Sequence, residues 1–309
     1  TRDYITINIY WFGLAFMWNG LHPIILPALL LQIVPEALKN TYLGGMTFSG
    51  LILAMIIQPL AGALSDRTHS RLGRRRPWIV VGVSLSLICL AAMAYASNFW
   101  ELLIAYILLQ TVSNTGHGPA QGLIPDLVPK ERRGLASGIK NLFDMSGLVV
   151  TSLVAGRLMG QDDPRLAFVI IGCVLAASAT ITILFTREGT ALHPEPNASG
   201  QALPNLLHID LRSYADYTRL LIARFLILLG IYAVQGFAQY YIRDRLDVAN
   251  PAEVAGNLLA TIGLALILLV FPAGILSDRF GRKPMNVFSG ALALSLIHIS
   301  EPTRLLSIS

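Results

Sequence analysis

Eight long apolar stretches run through the 309 residues, at about 7 to 31, 42 to 64, 78 to 96, 99 to 121, 135 to 156, 166 to 185, 224 to 242 and 255 to 276, and a ninth begins near Met285. Each is close to the roughly 20 residues an α-helix needs to cross the hydrocarbon of a bilayer. Backbone groups in lipid have no water to bond, so only helices and closed barrels are admissible there. The stretches are rich in Leu, Ile, Ala and Gly and lack the alternation of a barrel strand, so helices are expected. Hydrophobic residues make up 54% of the chain and charged ones 13%, a balance that excludes an ordinary soluble domain. The sequence therefore describes an all-α integral membrane protein, multi-pass in the plasma membrane.

Charge fixes the expected orientation. Even-numbered gaps between spans hold Arg67, Arg71, Arg74, Arg75, Arg76, Lys130, Arg132, Arg133, Arg187, Arg212, Arg219, Arg279, Arg282 and Lys283, whereas odd gaps hold only Lys39, Arg157, Arg165, Arg243 and Arg245. The positive-inside rule puts the even gaps and the N-terminus in the cytoplasm. The net charge of +5 then reports topology and not a nucleic-acid partner. Cys89 and Cys173 both fall inside apolar runs and are expected as small buried hydrophobes, with no disulfide framework. The first apolar run is too long for a cleavable signal peptide and lacks a small-residue cleavage site.

The first even gap has more structure than topology needs. "GALSDRTHSRLGRRRP", from Gly62, is echoed by "GILSDRFGRKP", from Gly274. In the first, Gly62, Asp66, Arg67, Arg71, Gly73, Arg74 and Arg75 are arranged for a charge-assisted clamp. The glycine lets helices approach, Asp66 can bond a helix N-terminus and an arginine, and the arginines can hold carboxylates or lipid phosphates. In the second, Gly274, Asp278, Arg279, Gly281, Arg282 and Lys283 stand in the corresponding places. Such a pair is an internal repeat.

On these residues the chain resembles the major facilitator superfamily of transporters, over residues 7 to 293. The fuller form S-D-R-x-x-S-R-x-G-R-R-R-P, with "SNTGHGPAQGLIPDLVPKERRGLASG" from Ser113 to Gly138, is similar to the sucrose and glycoside-cation symporter group. The resemblance implies two six-helix halves that alternate access to a central site, with Asp66 and its neighbours acting as a gate. It implies a six-helix N-terminal half at 1–185, a cytoplasmic central loop at 186–219 and an incomplete C-terminal half at 220–293, about eight to nine of twelve spans. The segment "LSLIHISEPTR", from Leu294, resembles translated sequencing adapter, so 294–309 is expected to be a non-native tail. Sugar symporters of this group carry an Asp before the span-four Asn and an Arg after the G-P pair. Here those places hold Gln110 and Gln121, so the family's coupling pair does not carry over.

Candidate site residues come from the spans themselves. Span one offers Trp18, Asn19 and His22, beside Pro23 and Pro27, which bend or break helices. Span four offers Gln110, Asn114, His117 and Gln121 at helical intervals of four, three and four, a stripe that is costly against lipid and is expected to face the bundle interior. Span seven offers Gln235, Gln239 and Tyr240. Amide, indole and phenol groups suit a sugar and equally an amphipathic drug. For ion coupling the candidates are Asp144, with Lys140 one turn earlier as its neutralising alternative, and His22. No metal-ligand cluster, phosphate loop or nucleophile elbow appears in its needed context, so no cofactor and no enzyme activity are expected. "HPEPNASGQALP" reads as a linker with a glycosylation pattern at Asn197 that a cytoplasmic location forbids, and "NLLHIDLRSYADYTRLL" reads as a surface helix. The expected function is cation-coupled uptake of a sugar or glycoside, with proton or sodium as the ion, by a monomer in the bilayer. The rival expectations are export of amphipathic compounds, and a non-transporting receptor, interaction protein or inactive fragment.

Overall fold

The computed structural model describes residues 2–161, 164–186, 188 and 215–300, and every regular element among them is helical. In chain order they are α1 (Arg2–Thr6), α2 (Ile9–Gly20), a π-helical turn (Leu21–Ile25), α3 (Leu26–Ile33), α4 (Lys39–Asp66), α5 (Arg76–Ala94), α6 (Phe99–Gln121), α7 (Leu123–Leu127), α8 (Arg133–Gly160), α9 (Pro164–Phe185), α10 (Ala215–Leu246), α11 (Pro251–Phe280) and α12 (Arg282–Ser300). Each apolar stretch has become a helix, the first of them interrupted. Pro27 has no N–H to give to the Pro23 carbonyl, and the backbone widens into the π turn just before it.

Among the described residues seven helices are long and apolar enough to cross a membrane, and α6 is not one of them. Its polar stripe lowers its hydropathy, and the bundle compensates by enclosing it: Leu102, Tyr106, Leu109, Gln110, Asn114 and Ala120 are all buried. The start of α6 is well marked. Asn98 accepts from the Glu101 N–H at 3.0 Å, and the Glu101 carboxylate returns to the Ser97 N–H at 2.7 Å. This reciprocal cap satisfies donors that the first helical turn leaves open.

The chain divides into two compact units, residues 1–263 and 264–309. In the first unit α5 lies along α6, α4 packs on α6, α2 packs on α8 and α9, and α5 packs on α9. The core runs through the middle of these contacts, with Tyr10, Phe16, Met17, Leu21, Ile24 and Tyr106 at 2% exposure or less. Outward-facing Phe48, Leu51 and Met55 on α4 and Leu226, Ile227 and Val234 on α10 remain exposed, as suits helices bathed in lipid. Beyond its first turns α10 reaches the bundle near its C-terminal end, against the π turn and α3. The N-terminal turns of α11 pack on α8, where a Cβ on Gly156 would lie 3.2 Å from the Gly256 Cα. In the second unit α11 ends at Phe280, and Gly281, with φ of 88°, turns the chain into α12.

Three expectations change. Cys89 is buried but Cys173 is exposed, because an apolar run in a membrane helix has a lipid face as well as a core face. The helix does not stop at Ala293: α12 continues to Ser300, since residues 294 to 300 contain no helix breaker before Pro302, although among the described residues α12 is not one of the helices long and apolar enough to cross a membrane. The last seven residues of the expected surface helix, from Ala215, run straight into α10. The linker, its Asn197 pattern and the tail beyond Ser300 lie outside the described residues.

Candidate functional site

A continuous set of polar contacts crosses the middle of the first unit. The Tyr106 hydroxyl accepts from the Gln110 amide at 2.7 Å and lies 3.0 Å from His22 Nε2. The Tyr106 hydroxyl, which accepts from Gln110, still has a hydrogen to give and lies within reach of His22 Nε2. The Gln110 side-chain oxygen accepts from Asn114 Nδ2 at 3.0 Å, and the Asn114 oxygen accepts from Gln58 Nε2 at 2.6 Å. Gln58 also lies 3.5 Å from His117 Nδ1, and its oxygen accepts from Gln121 Nε2 at 3.1 Å. Aromatic rings bracket the line. Trp18 stacks on His22 with centroids 4.9 Å apart, and Trp11 meets His117 edge-on at 5.1 Å. At the far end the Lys140 ammonium sits 3.9 Å from the Trp11 ring centroid and 2.8 Å from Asp144 Oδ2.

Sequence spacing therefore brings His22, Gln110, Asn114, His117 and Gln121 into one network, beside Trp18, Asp144 and Lys140. It missed Gln58, Tyr106 and Trp11. Tyr106 stands one turn before Gln110 and extends the same stripe, so a signal was present; Gln58 is the single amide of an apolar run beside Pro59. Other candidates go elsewhere. Asn19 donates to the Ala15 carbonyl of its own helix at 2.9 Å. Gln239 is 1% exposed, and with its amide nitrogen turned toward α3's approach it reaches the Ile24 carbonyl at 2.9 Å and that of Pro23 at 3.3 Å. The Tyr240 hydroxyl donates to the Pro27 carbonyl at 3.2 Å. These two α10 residues satisfy backbone that the prolines disturb, so they brace the π turn instead of lining a binding surface. Gln235, one turn earlier, is half-buried. Lys140 pairs with Asp144, as expected of its neutralising role, and lies against the Trp11 face while staying partly exposed.

At the basic end of the bundle the expected clamp is built around Arg75. Its guanidinium pairs with Asp66 at 2.5 Å and with Asp126 at 2.9 Å, and it donates to the Gly62 carbonyl at 3.3 Å. Arg74 shares Asp126 at 3.3 Å, and the Arg74 carbonyl accepts from Ser65 at 3.1 Å. Asp66 does not cap a helix. That role goes to Glu188, whose carboxylate takes the Arg75 and Arg76 N–H groups at 2.9 and 3.1 Å at the start of α5. Arg76 reaches the Ile183 carbonyl. Arg67 and Arg71 are exposed. Gly73 has φ of 99° and Gly281 has φ of 88°, a left-handed conformation that glycine adopts without steric cost. The repeat noticed in sequence thus has a matching backbone turn in each unit. The side chains of Gly274, Asp278 and Arg282 lie outside the described ones, and Lys283 is exposed.

A second charged cluster sits at the other end of α4. Lys39, 5% exposed, donates to both oxygens of Asp244 at 2.8 and 2.6 Å. Glu36 pairs with Arg243 at 3.0 Å, and the Lys39 ammonium lies 5.3 Å from the Tyr240 centroid. Sequence reading counted Lys39 and Arg243 only as minority cations. Among the described residues no group of three or more His, Cys, Asp or Glu is placed to hold a metal ion.

The profile of the Major Facilitator Superfamily matches residues 4–299. Multidrug resistance protein MdtG of Proteus mirabilis is 27% identical over 302 residues, covering 94% of this chain and 71% of that protein. The multi-drug resistance efflux pump PmrA homolog of Lactococcus lactis is 26% identical over 308 residues, covering 96% of this chain and 73% of its own length. Among solved structures, a bacterial homolog of the human lysosomal transporter Spinster, inward-facing and unoccupied, superposes with a TM-score of 0.63 at 19% identity. That match covers 92% of this chain, which spans 64% of the other.

Proposed function

This chain belongs to the Major Facilitator Superfamily, and on that premise we propose that it exports amphipathic small molecules by alternating access. One observation carries the choice over sugar uptake. The amides expected to receive sugar hydroxyls are already engaged: Gln110 uses both ends of its side chain on Tyr106 and Asn114, and Asn114 uses both ends on Gln110 and Gln58. A sugar site needs unpaired donors and acceptors, because a polar ligand that meets satisfied groups gives up its hydration for nothing. Beside these engaged amides lie the half-buried Trp18 face and apolar surface, which select for amphipaths. The multidrug names carried by the relatives support the same choice, and Gln110 and Gln121 stand where sugar symporters carry their charges.

In this reading the basic end is cytoplasmic. The cluster around Lys39 joins α4 to α10 at the outer end. Asp144 is the ionisable group assigned to ion coupling, and His22, held by Tyr106 and Trp18, shapes the surface. The test is reconstitution in vesicles with both solutes measured. Gradient-driven movement of ethidium without accumulation of labelled sucrose is expected. Sucrose accumulation without ethidium movement would overturn the reading.

A further inference from the structure

The polar network ends where a cation is already bound. The Lys140 ammonium has the Trp11 ring on one side at 3.9 Å and the Asp144 carboxylate on the other at 2.8 Å. An aromatic face and a counter-charge are the two contacts that an organic cation requires once it leaves water. Lys140 is a replaceable occupant of that position. With the base preceding the acid at i, i+4, the pair has the less favourable order for a helical ion pair. Its four-carbon stem rotates freely, and the two side chains are 26% and 23% exposed, so both are reached from outside. Trp11 is fixed by contrast. It is 4% exposed, His117 packs edge-on against it, and its indole N–H has no acceptor among the described residues.

We propose that Trp11 and Asp144 form a receptor for the positive head of a lipophilic organic cation, and that Lys140 is a tethered stand-in which such a substrate displaces. The inference rests on the export reading and narrows its substrate class. Exchanging one cation for another leaves the charge at the site unchanged, so entry does not add a second buried charge. The apolar body of the substrate contributes burial that the lysine stem does not supply. A neutral amphipath has no such exchange open to it, because displacing Lys140 would leave Asp144 unpaired. The site therefore distinguishes a cation from a neutral molecule of the same shape.

The experiment uses the full 309-residue chain, purified in detergent, with tetraphenylphosphonium as the cation and triphenylphosphine oxide as the neutral probe. Binding of both is measured by calorimetry alongside a thermal melt of each variant. Lys140→Met removes the internal competitor and should tighten tetraphenylphosphonium roughly tenfold, while Asp144→Asn should weaken it by about as much, the scale of a desolvated cation contact. Neither should move the neutral probe. Trp11→Phe keeps an aromatic face of weaker pull and should fall between, which keeps the inference testable if Asp144→Asn does not fold. Equal effects on both probes, or tetraphenylphosphonium binding indifferent to Lys140→Met in a folded protein, overturn the inference. Ethidium export that continues with such indifference leaves the export reading standing, whereas failure of every amphipath to bind or move removes both.

Discussion

The two ends of the bundle are each closed by a buried cation, and the two closures are built differently. At the basic end Arg75 takes Asp66, Asp126 and the Gly62 carbonyl, all from residues 62 to 126. At the opposite end Lys39 takes Asp244, 205 residues away on α10. Arg75 spreads a planar fork over three acceptors and so resists replacement by lysine; Lys39 is a point charge meeting one carboxylate. In the alternating access proposed for this chain, a clamp within residues 62 to 126 keeps its partners throughout the cycle, whereas one that joins α4 to α10 has to open whenever those helices part. The lesson is that burial of a charge says how costly separation is, while the sequence distance of its partner says whether the machine ever asks for it.

The largest expected effect breaks the first clamp. Arg75→Met leaves Asp126 without its nearest cation and should lower stability by about 3 kcal/mol, the scale for removing one partner of a buried pair. A thermal melt in detergent reads it, and the basic end and the opposite end should loosen together because the whole bundle is affected. Lys39→Met should cost about 2 kcal/mol or less, since Asp244 is partly exposed and water takes over some of its solvation. Here the expected signature is a change of population and not of melting: spin labels flanking residues 36 and 246 should show a longer distance, and Asp244→Leu added to Lys39→Met should restore the short one. If Lys39→Met lowers the melt as much as Arg75→Met and leaves the distance alone, the contrast between the ends is wrong. Gly73→Ala should cost about 1 to 2 kcal/mol, because φ of 99° disfavours any side chain and its Cβ would lie 2.6 Å from the Glu188 Cβ. Smallest is Glu188→Gln, which keeps one acceptor for the α5 N-terminus but turns an amide NH2 toward the second N–H and loses the charge opposite the helix dipole. About 1 kcal/mol is expected, seen as faster hydrogen exchange in the first turn of α5.

Much of this was legible in the order of residues, and the reason is physical. A helix that must cross lipid announces itself by length, so the spans are found at their expected places; α6 is recovered although it is not among the helices apolar enough to stand out as a span, because the spacing of Gln110, Asn114, His117 and Gln121 marks a face. The same periodicity would have admitted Tyr106 had aromatic hydroxyls been counted with the amides. What was not legible depends on folding in three dimensions. Nothing near Asp66 tells that Asp126 and Glu188 complete its cluster, or that Gln239 and Tyr240 serve the carbonyls around Pro23 and Pro27. A polar residue on a membrane helix announces only that it needs a partner, and the bundle decides whether that partner is backbone, side chain or cargo.

The meeting of Gly156 with Gly256 bears on how such a protein could move. With a Cβ at Gly156 only 3.2 Å from the Gly256 Cα, two backbones touch directly at this point, while the Val149 and Leu148 side chains of α8 pack against Gly263 further along. The side-chain-free contact is a pivot close to one end of α8. Arg133, at the opposite end of that helix, lies about 35 Å from the pivot at 1.5 Å per residue, so a roll of about 10° would carry it through roughly 6 Å. A small rotation at the Gly156 end thus becomes a door-sized displacement at the basic end.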